Sequence, residues 1–310
     1  MRGSIIYQVQ TLFKTSGINR IGKSKHTDKE AFRNSTDQKV TWHDIGQNTG
    51  IYSYSTADDY REIWISAFRH AKAHFGIKDI EVLTGEHMQS FLMKKIDDSV
   101  KHATFMQYAS AIEKLAVALS LYAEAHKTGN EYNFGESIEV ARQKAHKALQ
   151  RFDGVRSYDN PEELISKLED PTHRLIASIQ YIGGARIDEV YGIMPSSLKG
   201  DSRVTVKGKG GKIRDLLINP EDYKELSDIL AKDGNFKFDK GKYLYHLKIA
   251  SEETCQPYNA SHGLRWNFAQ NRMQELQKSG KVHEQGLVIV SQEMGHERAD
   301  ITEHYLKFKT

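Results

Sequence analysis

Apolar residues in the first half of the chain recur at helical spacing. Trp64, Phe68, Ala71 and Phe75 mark one face of an amphipathic helix, and Thr56 with Asp59 three residues on resembles a capping box at its start. Met88, Phe91 and Leu92 predict a short second helix. Ile112, Leu115, Leu119 and Tyr122 predict a longer third, and Ile138, Ala141, Ala145 and Leu149 a fourth. Residues 56–152 therefore read as a helical bundle. All five prolines (161, 171, 195, 220 and 257) lie beyond it, so nothing breaks these helices from within. The polar, glycine-containing stretch DGVRSYDN reads as a linker at 153–160. Before the bundle, residues 1–55 carry more basic than acidic side chains, and GINRIGKSKHTDKE has no convincing period. They are expected to be a basic arm or a loosely held extension.

The pattern changes across 161–310. Asn160-Pro161, Asp170-Pro171 and Asn219-Pro220 each place a capping side chain before proline at the first helical position. THRLIASIQYI then runs as helix to the stop at Gly183-Gly184, and ARIDEVYGI resumes as helix or helical turn. RVTVKGKGGKIRDLLI sets β-branched residues on both sides of a glycine–lysine cluster, which predicts an antiparallel hairpin from Arg203 to Ile218. In SHGLRWNFAQNRMQEL, the stripe Trp266, Ala269, Met273 and Leu276 predicts a helix carrying His262 and Arg265 one turn apart on another face. Between Arg265 and His296 the stretch QKSGKVHEQGLVIV is extended, which could alter a loop or strand without touching the chemistry. Asp300 with Glu303 is a helix-start signature that puts Tyr305 in the second turn and His296 in the preceding element. In one continuous helix these two would be turned by about 180°. A break at Arg298 to Asp300 lets them converge. The fold class is thus mainly α with a small antiparallel sheet.

Composition narrows the possibilities. A chain of 310 residues can bury two cores. Cys255 is its sole cysteine, which excludes an intramolecular disulfide and a cysteine-built zinc site. The longest apolar stretch, LAVALSLYA, is too short to span a membrane and no signal peptide is evident, so a cytoplasmic protein without a membrane partner is expected. With 44 basic and 41 acidic residues the net charge is +3, so any polyanion would have to be met by clustered charge.

Several clusters suit phosphate. Arginine offers a planar donor fork and histidine a titratable donor, as at His262 and Arg265. Lys209, between glycines in KGKGGK, projects a point charge from a hairpin tip, although the GxxxxGK[ST] spacing of a nucleotide-binding loop is absent. Lys144, Lys147 and Arg151 share one helical face at i, i+3, i+7. Each signal has an ordinary explanation when taken alone: a surface pair, a solubilising lysine, a solvated face and, for Tyr305, an aromatic anchor of a terminal helix.

Taken in order, Arg186, Lys209, His262 with Arg265, His296 and Tyr305 form a series that resembles the tyrosine recombinase (phage integrase) family. GGARIDEVYGI resembles the family's first arginine box, with Glu189 three residues after Arg186. VKGKGGKIRDLLI is similar to its hairpin-lysine motif, HGLR to its H-x-x-R box, and MGHERADITEHYL to its terminal glycine–histidine followed nine residues later by tyrosine. The resemblance covers about residues 160–305. It implies a two-domain DNA clamp, with 56–152 as a helical core-binding domain, 161–310 as the catalytic domain and 1–55 as an extension that could be a DNA-contacting arm.

The resemblance also implies a chemistry. Tyrosine hydroxyls ionise near pH 10, so the nucleophile needs cationic surroundings. Arg186 and Arg265 would clamp the scissile phosphate and His296 would donate to it. Lys209 would protonate the leaving 5′-oxygen, His262 would assist proton transfer at the nucleophile, and Tyr305 would become a 3′-phosphotyrosine. Glu189 would support the site by orienting a histidine. Lys144, Lys147, Arg151, Lys207 and Lys212 would contact DNA phosphates. No metal and no cofactor are implied. The implied partners are double-stranded DNA with an inverted-repeat core site, further copies of the chain as a tetramer on two duplexes, and accessory DNA-bending or directionality factors. Such a protein would be nucleoid-associated and would integrate or excise a mobile element. Five residues follow Tyr305, so the way protomers interlock is left open. A type IB topoisomerase and a catalytically silent DNA-binding protein are the alternatives.

Overall fold

In the computed structural model, which describes residues 1–152, 154–208, 211–296 and 299–307, the chain forms two compact units, Met1–Asp153 and Gly154–Thr310. The first contains α1 (Ile5–Thr15), α2 (Lys25–Asn34), α3 (Trp42–Asn48), α4 (Tyr54–Phe75), α5 (Gly85–Asp97), α6 (His102–His126) and α7 (Gly135–Ala148). The four helices predicted over 56–152 correspond to α4 to α7. Helix α4 starts earlier than the Thr56/Asp59 pattern suggests, because Ser53 is its cap and accepts from the backbone N–H of Thr56 at 3.2 Å. Trp64, Phe68, Phe91, Phe105, Ile112, Leu115 and Ile138 are buried together in one core. Alanines 109, 111 and 118 let the neighbours of α6 approach closely, and Trp64 donates its indole N–H to the carbonyl of Ala111 at 2.7 Å.

Residues 1–55 are more ordered than their composition suggests. Helix α1 is capped by Ser4 and buries Val9, Leu12 and Phe13 in the bundle core. Gln8 fixes it there: its amide donates to the carbonyls of Gly3 and Lys78, and its oxygen accepts from the N–H of Ile80, all at 2.9 Å. The aperiodic stretch that follows does yield a helix, α2, but one that buries nothing. Lys114 on α6 donates to the carbonyls of Gly46 and Thr49 at the end of α3, and burial draws its ammonium down to about 8. Helix α7 ends at Ala148, and extended backbone at Leu149 carries Arg151 out of the helix, away from the face expected to join it to Lys144 and Lys147.

The second unit contains α8 (Pro161–Ser166), α9 (Pro171–Gly183), α10 (Ile187–Val190), the hairpin β1 (Arg203–Lys207) and β2 (Ile213–Leu217), α11 (Pro220–Asp233), α12 (Lys240–Glu253), α13 (His262–Lys278), α14 (His283–Glu293) and α15 (Ala299–Glu303), then one 3₁₀ turn at His304–Leu306. Asn160 and Asp170 cap α8 and α9 as their Asn-Pro and Asp-Pro pairs predict, whereas Asn219 makes no side-chain cap bond to α11. The strands pair antiparallel with Val204 opposite Leu216. The extended stretch between Arg265 and His296 includes most of helix α14. Ser157 and Tyr158, in the stretch expected as a linker, are buried. The N–H of Tyr158 donates to the Asn267 side chain on α13, and its hydroxyl to the carbonyl of Ala260, both at 3.0 Å. Among the described residues no helix is long and apolar enough to cross a membrane.

Candidate active site

Helices α9, α13 and α14 of the second unit meet around Arg265. Helix α9 ends at Gly184, whose left-handed backbone (φ 62°) turns the chain back toward Arg186. A Cβ at Gly184 would lie 2.4 Å from the Phe268 ring, so glycine is required for the close approach as well as for the turn. Helix α14 ends at Glu293 and Met294, and Gly295 (φ 69°) redirects the chain to His296. Helix α13 begins at His262, with Gly263 so near the carbonyl of Arg156 that a Cβ would lie 2.7 Å away.

Arg265 is fully buried. Its guanidinium donates to the carbonyls of Gly184 and Met294 and, at 3.1 Å, to Nε2 of His296. Both carbonyls lie at helix C-termini, where the backbone dipole favours a cation. Burial, then the nearby charges of Arg186 and Arg214, pull its pKa down to about 9, which leaves it charged at neutral pH. Arg186 donates from Nη1 to Oε1 of Glu189 at 2.7 Å, while its own N–H donates to Oε2 at 2.8 Å. Its side chain is 29% exposed, so the guanidinium is reachable from solvent.

Glu189 does not orient a histidine. Its carboxylate pairs with Arg186 and, at 2.6 Å, with Arg214 on β2, with Arg265 at 4.0 Å. Burial works to raise its pKa, but Arg214, the backbone N–H of Arg186 and the Arg186 charge outweigh it and hold the carboxyl below the usual range. The physical reason for the difference is that the arginines outnumber the acids here, and a lone buried carboxylate is drawn to the charges that can neutralise it.

Tyr305 sits on the 3₁₀ turn after α15, only 8% exposed. Its hydroxyl is 2.8 Å from Nε2 of His262, and its ring centre is 5.2 Å from those of Trp266 and His296. His296 and Tyr305 thus do converge. Helix α15 starts at Ala299, one residue before the expected Asp300, and Glu297 and Arg298 lie outside the described residues. Burial, followed by the neighbouring arginines, depresses His262 to about 4 and His296 to about 3, so both rings are neutral at pH 7. Past the turn, the Gln270 amide donates to the carbonyl of Lys307 at 2.6 Å, which pins the segment to α13.

Gly208 and Lys212, which flank the hairpin tip, come to the same place. A Cβ on Gly208 would lie 2.7 Å from Oε1 of Glu189, which explains a glycine there, and Lys212 donates to the carbonyl of His296 at 3.3 Å. Lys207 is exposed and Lys209 lies outside the described residues.

No family model matches the sequence, and no curated protein matches it. Solved structures do. The site-specific recombinase XerH bound to its difH substrate superposes with a TM-score of 0.61 at 14% identity, over 98% of this chain and 93% of that one. The Tn1549 transposon integrase in complex with a circular intermediate DNA gives 0.56 at 13%, covering 92% and 95%. A lambda integrase dimer bound to a COC′ core site gives 0.54 at 14%, covering 99% and 81%. All three are tyrosine recombinases. This chain has the tyrosine-recombinase fold.

Within that fold, Arg186, His262, Arg265, His296 and Tyr305 are brought together. Lys144 and Lys147 are exposed on α7 of the first unit. Arg214 and Thr302 escaped the sequence reading. On β2 the exposed residues are the apolar Ile213 and Leu217 together with Asp215, while Arg214 shares the inward face with Leu216. A strict period-2 reading anchored on Leu216 would have found it; the apolar outer residues point the other way.

Proposed function

We propose that this protein is a site-specific DNA recombinase or integrase that cleaves and rejoins duplex DNA through a 3′-phosphotyrosine. The observation that carries the reading is the convergence of the Tyr305 hydroxyl, neutral His262 and the buried Arg265, with Arg186 open to solvent beside them. A neutral imidazole can accept the phenolic proton as the Tyr305 oxygen bonds to phosphorus and the phosphorus–O5′ bond breaks. Arg186 and Arg265 balance the charge that grows on the non-bridging oxygens, where a single donor is typically worth about 10²- to 10³-fold. Lys209 supplies the proton to the departing 5′-oxygen. The phosphodiester energy is kept in the tyrosyl link, and the 5′-hydroxyl of a partner strand reverses the attack. The fold shared with DNA-bound recombinases supports DNA as the substrate. An inverted-repeat core site, a tetramer on two duplexes, accessory bending factors and a mobile-element context belong to the same proposal.

The test is covalent capture. Wild type and Tyr305→Phe are expressed in cells, lysates are denatured, and DNA that remains attached to the protein is sequenced. Attached DNA with wild type alone, concentrated at one site, is the expected result. Adducts with both proteins would remove Tyr305 from its role, and adducts with neither, despite DNA binding, would leave a binding protein.

A further inference from the structure

Thr302 is completely buried on α15, three residues before Tyr305, and its hydroxyl oxygen lies 2.7 Å from Nδ1 of His296. On the other side of the same ring, Nε2 faces Nη2 of Arg265 at 3.1 Å. A guanidinium can only donate, so Nε2 must be the acceptor. A neutral imidazole has one N–H, and it is then on Nδ1, with the Thr302 hydroxyl as its acceptor. The three groups form a directed chain, Arg265 to His296 to Thr302, whose last member belongs to the short helix that carries the tyrosine.

We infer that Thr302 is a positioning residue: by accepting the Nδ1–H of the tautomer that Arg265 imposes, it fixes the orientation of His296 and seats the tyrosine-bearing helix against the arginine cluster. This deepens the strand-cleaving reading of the site and rests on it. The hydroxyl suits the task in both charge states of the ring. When a phosphate arrives beside Arg265, Nε2 must carry a proton to donate to it, and Nδ1–H stays on Thr302 unchanged. The ring can therefore change its charge without turning. A threonine also has few ways to miss: its β-branched side chain has restricted χ1, and with zero exposure there is no room to rotate away.

Thr302→Val keeps the shape and removes the acceptor, and Thr302→Ser keeps the acceptor and removes a methyl. Three measurements are made on each: the thermal melting curve, the histidine ring ¹⁵N signals of the DNA-free protein, and the rate of covalent adduct formation on a nicked duplex of the captured site. Wild type is expected to show His296 protonated at Nδ1. Thr302→Val should melt as a folded protein, keep the proton on Nδ1 but lose its hydrogen-bonded, exchange-protected Nδ1–H signature, and form adduct about 10- to 100-fold more slowly, the range seen when the outer hydrogen-bond partner of a metal-bound histidine is removed. Thr302→Ser should restore both the signature and most of the rate. A valine variant with the hydrogen-bonded Nδ1–H signature and wild-type rate, or a serine variant as slow as valine, would overturn the inference. Adduct formation by wild type under the same conditions separates the two ideas. If wild type forms none, the cleavage reading falls, while the ring signals still decide what holds His296.

Discussion

The two units bury different things. Among the described residues, the first encloses three buried polar side chains, Gln8, Ser16 and Thr49, none of them ionisable, whereas thirteen lie in the second, Glu189, Arg265, His173 and His296 included. The first unit follows the ordinary logic of a bundle, in which one aromatic or aliphatic side chain fully withdrawn from water is worth about 1.5–3 kcal/mol. The second withdraws a cluster of like charges around a single carboxylate and leaves the Nε groups of Arg214 and Arg265 without a hydrogen-bond partner among the described residues. Burying ions this way rarely stabilises a fold. Under the proposed function such an arrangement would be a receptor for an anion, held in readiness at the cost of stability.

This contrast can be broken most sharply at Glu189. Glu189→Gln removes the charge that neutralises Arg186 and Arg214, and breaking a buried pair typically costs about 3–5 kcal/mol. Urea unfolding should show that loss, and added sulfate should recover part of it by occupying the arginine cluster; a variant as stable as wild type would mean that the pairs do little. A smaller effect is expected from acid. His262 and His296 have folded-state values of about 4 and about 3, below the unfolded value near 6.5, so the unfolded chain takes up protons first as pH falls. Stability from these rings is complete above about pH 6.5 and declines as pH drops toward 4, by at most about 1.4 kcal/mol per pH unit for each ring. Segment-resolved hydrogen exchange between pH 7.5 and 5 should show α13 to α15 opening before α4 to α6, and the reverse order would erase the distinction. The smallest effect is at the surface of the first unit. Lys144→Ala with Lys147→Ala should leave unfolding unchanged, while DNA affinity falls and its dependence on log salt flattens by about 0.9 for each phosphate no longer neutralised. An unchanged slope would make those lysines a solvated face after all.

What could be read in advance divides along the same line. Repetition made α4 to α7 legible, because residues such as Ile112, Leu115 and Leu119 on α6 all face one apolar core. Motif order pointed to Arg186, His262, Arg265, His296 and Tyr305, which the fold brings together at or near the ends of short or capped elements. Three things stayed hidden for physical reasons. Helix α1 announces itself through Val9, Leu12 and Phe13, but the basic, aperiodic residues after it swamp the signal. The start of α4 is ambiguous in the sequence because Ser53 and Thr56 are both good caps, and tertiary packing chose the earlier. The partner of Glu189 depends on which side of a strand Arg214 faces, and no spacing on α10 records that.

Arg265 is held by the chain's own carbonyls and by His296, and Tyr305 packs against His262 and Trp266. Under the proposed function this is a form of proofreading. A genome offers about 10⁶–10⁹ competing non-specific sites for every target, and most encounters are brief. An enzyme that must first exchange its internal hydrogen bonds for those of a well-seated backbone would ignore the brief ones, and so the bonds that hold its arginines would also keep chromosomes from being nicked at random.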